Sequence, residues 1–319
     1  MRKLWCLVKV DFRAMLAPLN FGPTKKGRAG GIGTLVLLTV LPLYLSGVYS
    51  FLLGEWMSEN GALGFLMPVM ALLGIFMSLM FSMFGASGIV YGGRDMDLML
   101  SLPVPAFSVM LAKLLALYLE NLVFCGLWLI PAGAALGVYG GVSLGFILSM
   151  ALAVLFTPFL PALLGALIGW LVAFAEGRLR RKALVASLLY LALFGILIAG
   201  GMQVNRLAGL MQNAAALQHV LNTWLLPMGL LQSALAGSFP ALLGYLAVCL
   251  VPFLAAAWLL SLRYKAILTG LSSRAMGKAY RLCRLGASGQ FAALYKKELA
   301  RFFGTPIYLF NTGIGFIML

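Results

Sequence analysis

The sequence predicts an all-α polytopic membrane protein, a six-transmembrane-helix bundle with an N-terminal interfacial amphipathic helix and the start of a seventh span. Three observations predict it. The chain is 63% hydrophobic and only 10% charged, with a mean hydropathy of +1.03, whereas soluble domains carry roughly 25% charged residues. Six apolar runs, at 33–54, 65–90, 114–136, 143–174, 183–202 and 241–262, have the roughly 20 residues that a helix needs to cross a hydrocarbon core of about 30 Å. Finally, 22 of the 23 Lys and Arg residues fall in segments that the alternation of those runs puts on one side, and only Arg206 lies on the other. Short loops rich in Lys and Arg stay in the cytoplasm, so the N-terminus is expected in the cytoplasm and the chain in a cytoplasmic membrane.

Residues 1–32 are expected to form a cytoplasmic interfacial helix and connector. Leu4, Val8, Phe12 and Leu16 recur every four residues, and Arg2, Lys9 and Arg13 occupy the opposite stripe, the pattern of a helix lying flat on the inner leaflet. A tail ordered only by lipid is the other reading. Residues 22–29, GPTKKGRA, approach a phosphate-binding loop, but Arg28 and Ala29 replace its Lys and Ser/Thr. No strand delivers this loop to a helix, so ATP hydrolysis is left to a partner.

Residues 33–262 make up the six-helix transmembrane domain. Its first outer link carries Glu55 and Glu59 and no basic residue. The inner link that follows span 2 reads GRDMDLMLSLPVP at 93–105, a short apolar-rich helix stopped by Pro103 and Pro105. Met96, Met99 and Leu100 fall on one face of it, Asp95 and Leu98 on another. Such a helix is suited to a groove in a cytoplasmic partner, or to lying on lipid. In span 3, Glu120 follows Lys113 by seven residues, two turns along one face. The pair brackets the cytoplasmic entrance, with Glu120 either at the interface or buried as a relay. Gly133, Gly137, Gly141 and Gly145, with Gly165 and Gly169 later, repeat a small-xxx-small spacing that lets spans 3 and 4 pack closely. Segment 203–224 keeps an apolar seam of Leu207, Leu210, Leu217, Leu221 and Trp224, expected as short helices on the outer leaflet before Pro227.

Residues 263–293 are expected to be a basic cytoplasmic linker, and 294–319 the start of a second repeat. LVKVDFRAMLAPLNF at 7–21 aligns with LYKKELARFFGTPIY at 294–308, and internal duplication is a feature of transporters. On that basis the chain is expected to continue into a second half of roughly 230–280 residues.

Catalytic chemistry is hard to find. His219, the single histidine, sits among amides without a nearby carboxylate or thiol, and Cys6, Cys125, Cys249 and Cys283 form no CxxC pair, so neither metal nor cofactor is expected. The net charge of +15 is explained by loop charges that set topology and touch anionic lipid, not by nucleic acid.

The amphipathic start, the loop ending DLMLSLPVP before the helix with Lys113, the polar outer segment and the restart LYKKELARFFGTPIYLFNTGI together resemble a permease of the type-2 ATP-binding-cassette exporter family, in its bacterial two-halved form. The resemblance implies export powered by a separate cytoplasmic ATPase subunit, with the chain itself not an enzyme and a second permease half or protomer completing the pathway. By position, residues 2–17 would be the connecting helix, with Leu4, Val8, Phe12, Arg13 and Leu16. Asp95, Met96, Asp97, Leu98, Met99, Leu100, Ser101 and Leu102 would be the coupling helix that rests on the ATPase. A secondary transporter, with Glu120 as its coupling group, and a non-transporting membrane or immunity protein are the alternatives.

Overall fold

The computed structural model describes residues 7–10, 25–86, 89–90, 105–178, 191–192, 195, 219, 222–223, 225–275, 289–304 and 312, and there is no strand among them. The main helices are α1 (Lys25–Glu59), α2 (Leu66–Ala86), α3 (Ala106–Gly140), α4 (Leu144–Phe156), α5 (Phe159–Arg178), α6 (Leu226–Leu235), α7 (Phe239–Ala275) and α8 (Gln290–Gly304). A short 3-10 turn, Leu63–Phe65, leads into α2. Among the described residues, four stretches are long and apolar enough to cross a membrane: Leu63–Ser82, Ala106–Gly140, Leu144–Val172 and Phe239–Leu262.

Helix ends follow local chemistry. Pro105, extended at φ −62° and ψ 139°, precedes α3, and its carbonyl accepts from the amides of Ser108 and Val109. Gly141 ends α3 at φ +83°, a left-handed conformation that a side chain would strain. Ser143 then caps α4 by accepting from the Phe146 amide at 3.1 Å, satisfying one of the donors a helix start leaves open. Pro227 sits in the first turn of α6, where a missing N–H costs nothing.

α3 is the centre, with α1, α2, α5 and α7 against it. α1 turns Ser46, Ser50, Gly54 and Met57 inward and leaves Leu41, Tyr44, Val48 and Leu52 exposed. Small residues face protein and large apolar ones face outward, the arrangement that close approach of helices in a bilayer requires. A Cβ on Gly54 would lie 3.0 Å from the Tyr139 ring.

Two buried clusters mark the two ends. One joins Met57, Phe65, Met67, Trp128 and Met228; the other joins Ala86, Val90, Val109, Met110 and Ala257, with Leu7 against it. The first gathers the turn before α2, the second half of α3 and α6. The second gathers the start of α3, the end of α2, the first half of α5 and the middle of α7.

Several expectations need adjustment. Residues 143–174 are not one continuous helix but α4 and α5, broken at Thr157 and Pro158. Pro158 and Pro161 have no N–H for the carbonyls of Val154 and Thr157. The chain answers with a tighter turn, in which the Leu160 amide donates to Thr157 and that of Ala162 to Pro158, both at 3.1 Å. Beyond Pro227 the outer segment adds α6, which buries Met228, Gly229, Leu231 and Ala234 in the bundle. α7 runs past 262 to Ala275, into the segment assigned as linker. α8 begins at Gln290 and carries an exposed Phe291, Leu294 and Tyr295. Of the expected fifth span, 183–202, all but residues 191, 192 and 195 lie outside the described residues, as does most of 203–224.

Candidate functional site

The first expected site, the coupling segment Asp95, Met96, Asp97, Leu98, Met99, Leu100, Ser101 and Leu102, lies outside the described residues, as do Leu4, Phe12, Arg13 and Leu16 of the connecting helix. Val8 lies in a described helical stretch and is only 5% exposed, and neighbouring Leu7 packs on the bundle. At Val8 the stripe is buried against protein.

What the structure does assemble is a polar level half-way along the bundle. One turn of α3, residues 118–121, reaches both α2 and the α4–α5 break. The Asn121 amide donates to the Ser82 hydroxyl at 3.2 Å and to the Leu117 carbonyl at 2.7 Å, while its oxygen accepts from Ser78 at 2.5 Å. All three side chains are buried. Ser78 and Ser82 stand one turn apart on α2, so both face the same neighbour. Gly165 on α5 makes room for this contact, because a Cβ there would clash with the Ser82 hydroxyl.

On the next face of α3, the Tyr118 hydroxyl donates to the Leu155 carbonyl at 2.9 Å, beside the break. Its ring stacks on Phe159, at 4.3 Å between centroids, and Phe159 meets Phe253 of α7 edge-on at 4.8 Å. The break is further held by Thr157, whose hydroxyl bonds to the Ala153 carbonyl and lies 2.6 Å from the Tyr245 hydroxyl. Thr157 and Tyr245 are fully buried. Aromatic packing and a buried hydroxyl pair thus stabilise a turn whose own helical bonds are incomplete.

Glu120 belongs to the same turn. It points at Gly85 of α2, where an added Cβ would lie 3.3 Å from Oε2 and 3.5 Å from Oε1. Oε2 is buried and has no hydrogen-bond partner among the described residues. Glu120 is thus half-buried against the last described turn of α2. Lys113, half-buried, sits two turns toward the start of α3 on the same face.

The chain matches no protein-family model, no curated protein and no solved structure. Chemistry therefore has to be read from the site itself. Asn121, Ser78, Ser82 and Thr157 largely satisfy one another, so their first role is to hold helices in register. Spare capacity belongs to Glu120. Among the described residues no three His, Cys, Asp or Glu side chains converge as metal ligands. Two sequence signals pointed to this level: a polar pair, Glu120–Asn121, inside an apolar run, and two serines four apart in span 2. The Thr157–Tyr245 contact spans 88 residues and has no local signature.

Proposed function

We propose that this chain is the membrane-spanning permease of an ATP-driven exporter, moving substrate out across the cytoplasmic membrane while a separate ATP-binding-cassette subunit hydrolyses ATP. The observation that carries the reading is the helix broken at Thr157–Pro158, where the other long apolar helices among the described residues run without a break. Discontinuous helices at mid-membrane are where transport proteins place pathways and moving elements. The supply of energy from a partner rests on the resemblance of residues 2–17 and 93–105 to connecting and coupling helices. In that arrangement Asp95 to Leu102 seat on the ATPase, and the packed α2–α3–α5 unit passes their displacement to the break.

The test is copurification. A tagged chain should retain an ATPase subunit, and Leu98→Asp with Leu100→Asp should lose it at equal expression, because charges placed in a desolvated contact cost several kcal/mol. Full retention by the doubly substituted chain would remove the coupling assignment.

A second reading, a secondary transporter, is favoured by one observation, the buried and unpartnered Oε2 of Glu120. Ionisable groups at membrane depth mark proton and ion paths. Under that reading Glu120→Gln abolishes gradient-driven flux and no ATPase copurifies. Under the exporter reading the same substitution leaves ATPase association intact.

A further inference from the structure

A cavity of about 560 Å³ opens between the Leu63–Phe65 turn, the α3–α4 link and α6. Leu63, Leu136, Val142, Phe146 and Leu235 form its apolar wall, and none of its lining residues is charged. Two polar side chains interrupt that wall: Ser143, whose hydroxyl accepts from the Phe146 amide, and Gln232. Gln232 sits half-buried against Gly64, on which a Cβ would lie 3.2 Å from Nε2, and its Oε1 is buried with no hydrogen-bond partner. A buried acceptor without a donor is costly, on the scale of a lost hydrogen bond. The volume is within the roughly 300–1,000 Å³ usual for small-molecule sites, which combine an apolar wall with a few placed polar groups.

We propose that this cavity is a binding site for an uncharged amphipathic molecule, with an apolar body against Leu136, Phe146 and Leu235 and a hydroxyl or amide N–H donated to Gln232 Oε1, which the side chain turns out of its buried position to meet the ligand. The uncharged wall disfavours ions and zwitterionic headgroups, which would be desolvated without a counter-charge. The unmatched acceptor selects a donor-bearing ligand over a pure hydrocarbon. Two sources supply that chemistry: a free small molecule, or a neutral lipid with a glycerol hydroxyl. The inference stands apart from the question of what drives transport.

The experiment uses the purified full chain in detergent and a diazirine-bearing octanol as photoprobe, with the corresponding methyl ether as control. Saturable labelling of peptides containing Leu136, Phe146 or Leu235 is expected, with the ether labelling about tenfold less, since one unmet hydrogen bond is worth about that factor. Gln232→Leu should weaken the alcohol by a similar factor. Ala236→Trp, which fills the cavity from its exposed rim, should abolish labelling while leaving the chain monodisperse. Displacement by 1-octanol alone identifies a free small molecule as the ligand class; displacement by a monoacylglycerol as well identifies a neutral lipid. Labelling that is unsaturable, that neither competitor displaces, or that is unchanged in both variants overturns the proposal.

Discussion

Replacing Asn121 by leucine tests whether the polar level at α3 holds the helices together. The substitution roughly conserves volume but removes the donor to Ser82 and the acceptor for Ser78, two bonds that cross from α3 to α2. Between helices in a bilayer such bonds average about 0.6 kcal/mol and reach about 1.7. The stranded serines limit the loss, because each hydroxyl can turn to the carbonyl four residues back on its own helix. The expected destabilisation is therefore about 1–3 kcal/mol, above the sum of two average bonds if burial of the unmet hydroxyls counts in full. Reversible unfolding in bicelles measures it. A double-mutant cycle of Asn121→Ala with Ser78→Ala should give a coupling of about 0.6–1.7 kcal/mol. A coupling indistinguishable from zero would mean that the contact is incidental, and α2 and α3 would have to be held by steric fit alone.

Further outcomes follow from the same geometry. Pro158→Ala with Pro161→Ala restores the two missing amides, so α4 and α5 should straighten; transport should fall while insertion and abundance stay normal, read by efflux and by membrane-fraction immunoblot. Gly165→Leu, which drives a side chain into the buried Ser82, should destabilise the bundle by about 1–3 kcal/mol, as overpacking usually does, whereas Gly47→Leu, in open space, should leave unfolding unchanged. Single cysteines at Ser58 and Gln212 should react with an impermeant thiol reagent in intact cells and those at Gly177 and Ser273 should not; labelling at Gly177 would overturn the orientation drawn from the basic residues.

Hydropathy and charge made the described helices legible because both report directly on solvation. α3 and α7 cover the expected spans 114–136 and 241–262, and α2 covers 66–86 of the expected span 65–90. The break in 143–174 escaped hydropathy because the run stays apolar throughout; Pro158 and Pro161 carried the signal, and a proline acts on backbone bonding without changing polarity. The inward stripe of α1 was present as Ser46, Ser50 and Gly54 at four-residue spacing, but small residues matter there through what they allow to approach. The depth of Glu120 depended on the neighbour α2 presents, Gly85, and no property of α3 alone determines that. α6 escaped for a related reason, since its ten residues are too few to span and only tertiary contacts reveal that they are buried.

If the chain is an exporter permease as proposed, the link at 93–105 transmits work to it from an ATPase. The most direct test of this is photo-crosslinking in living cells from an unnatural amino acid placed at Met99, with Val10, exposed near the N-terminus, as a second position. The account predicts a specific crosslink from Met99 to an ATP-binding-cassette subunit, reduced when Leu98 and Leu100 are replaced by aspartate. Crosslinks from Met99 to lipid alone, with none to any ATPase, would contradict it.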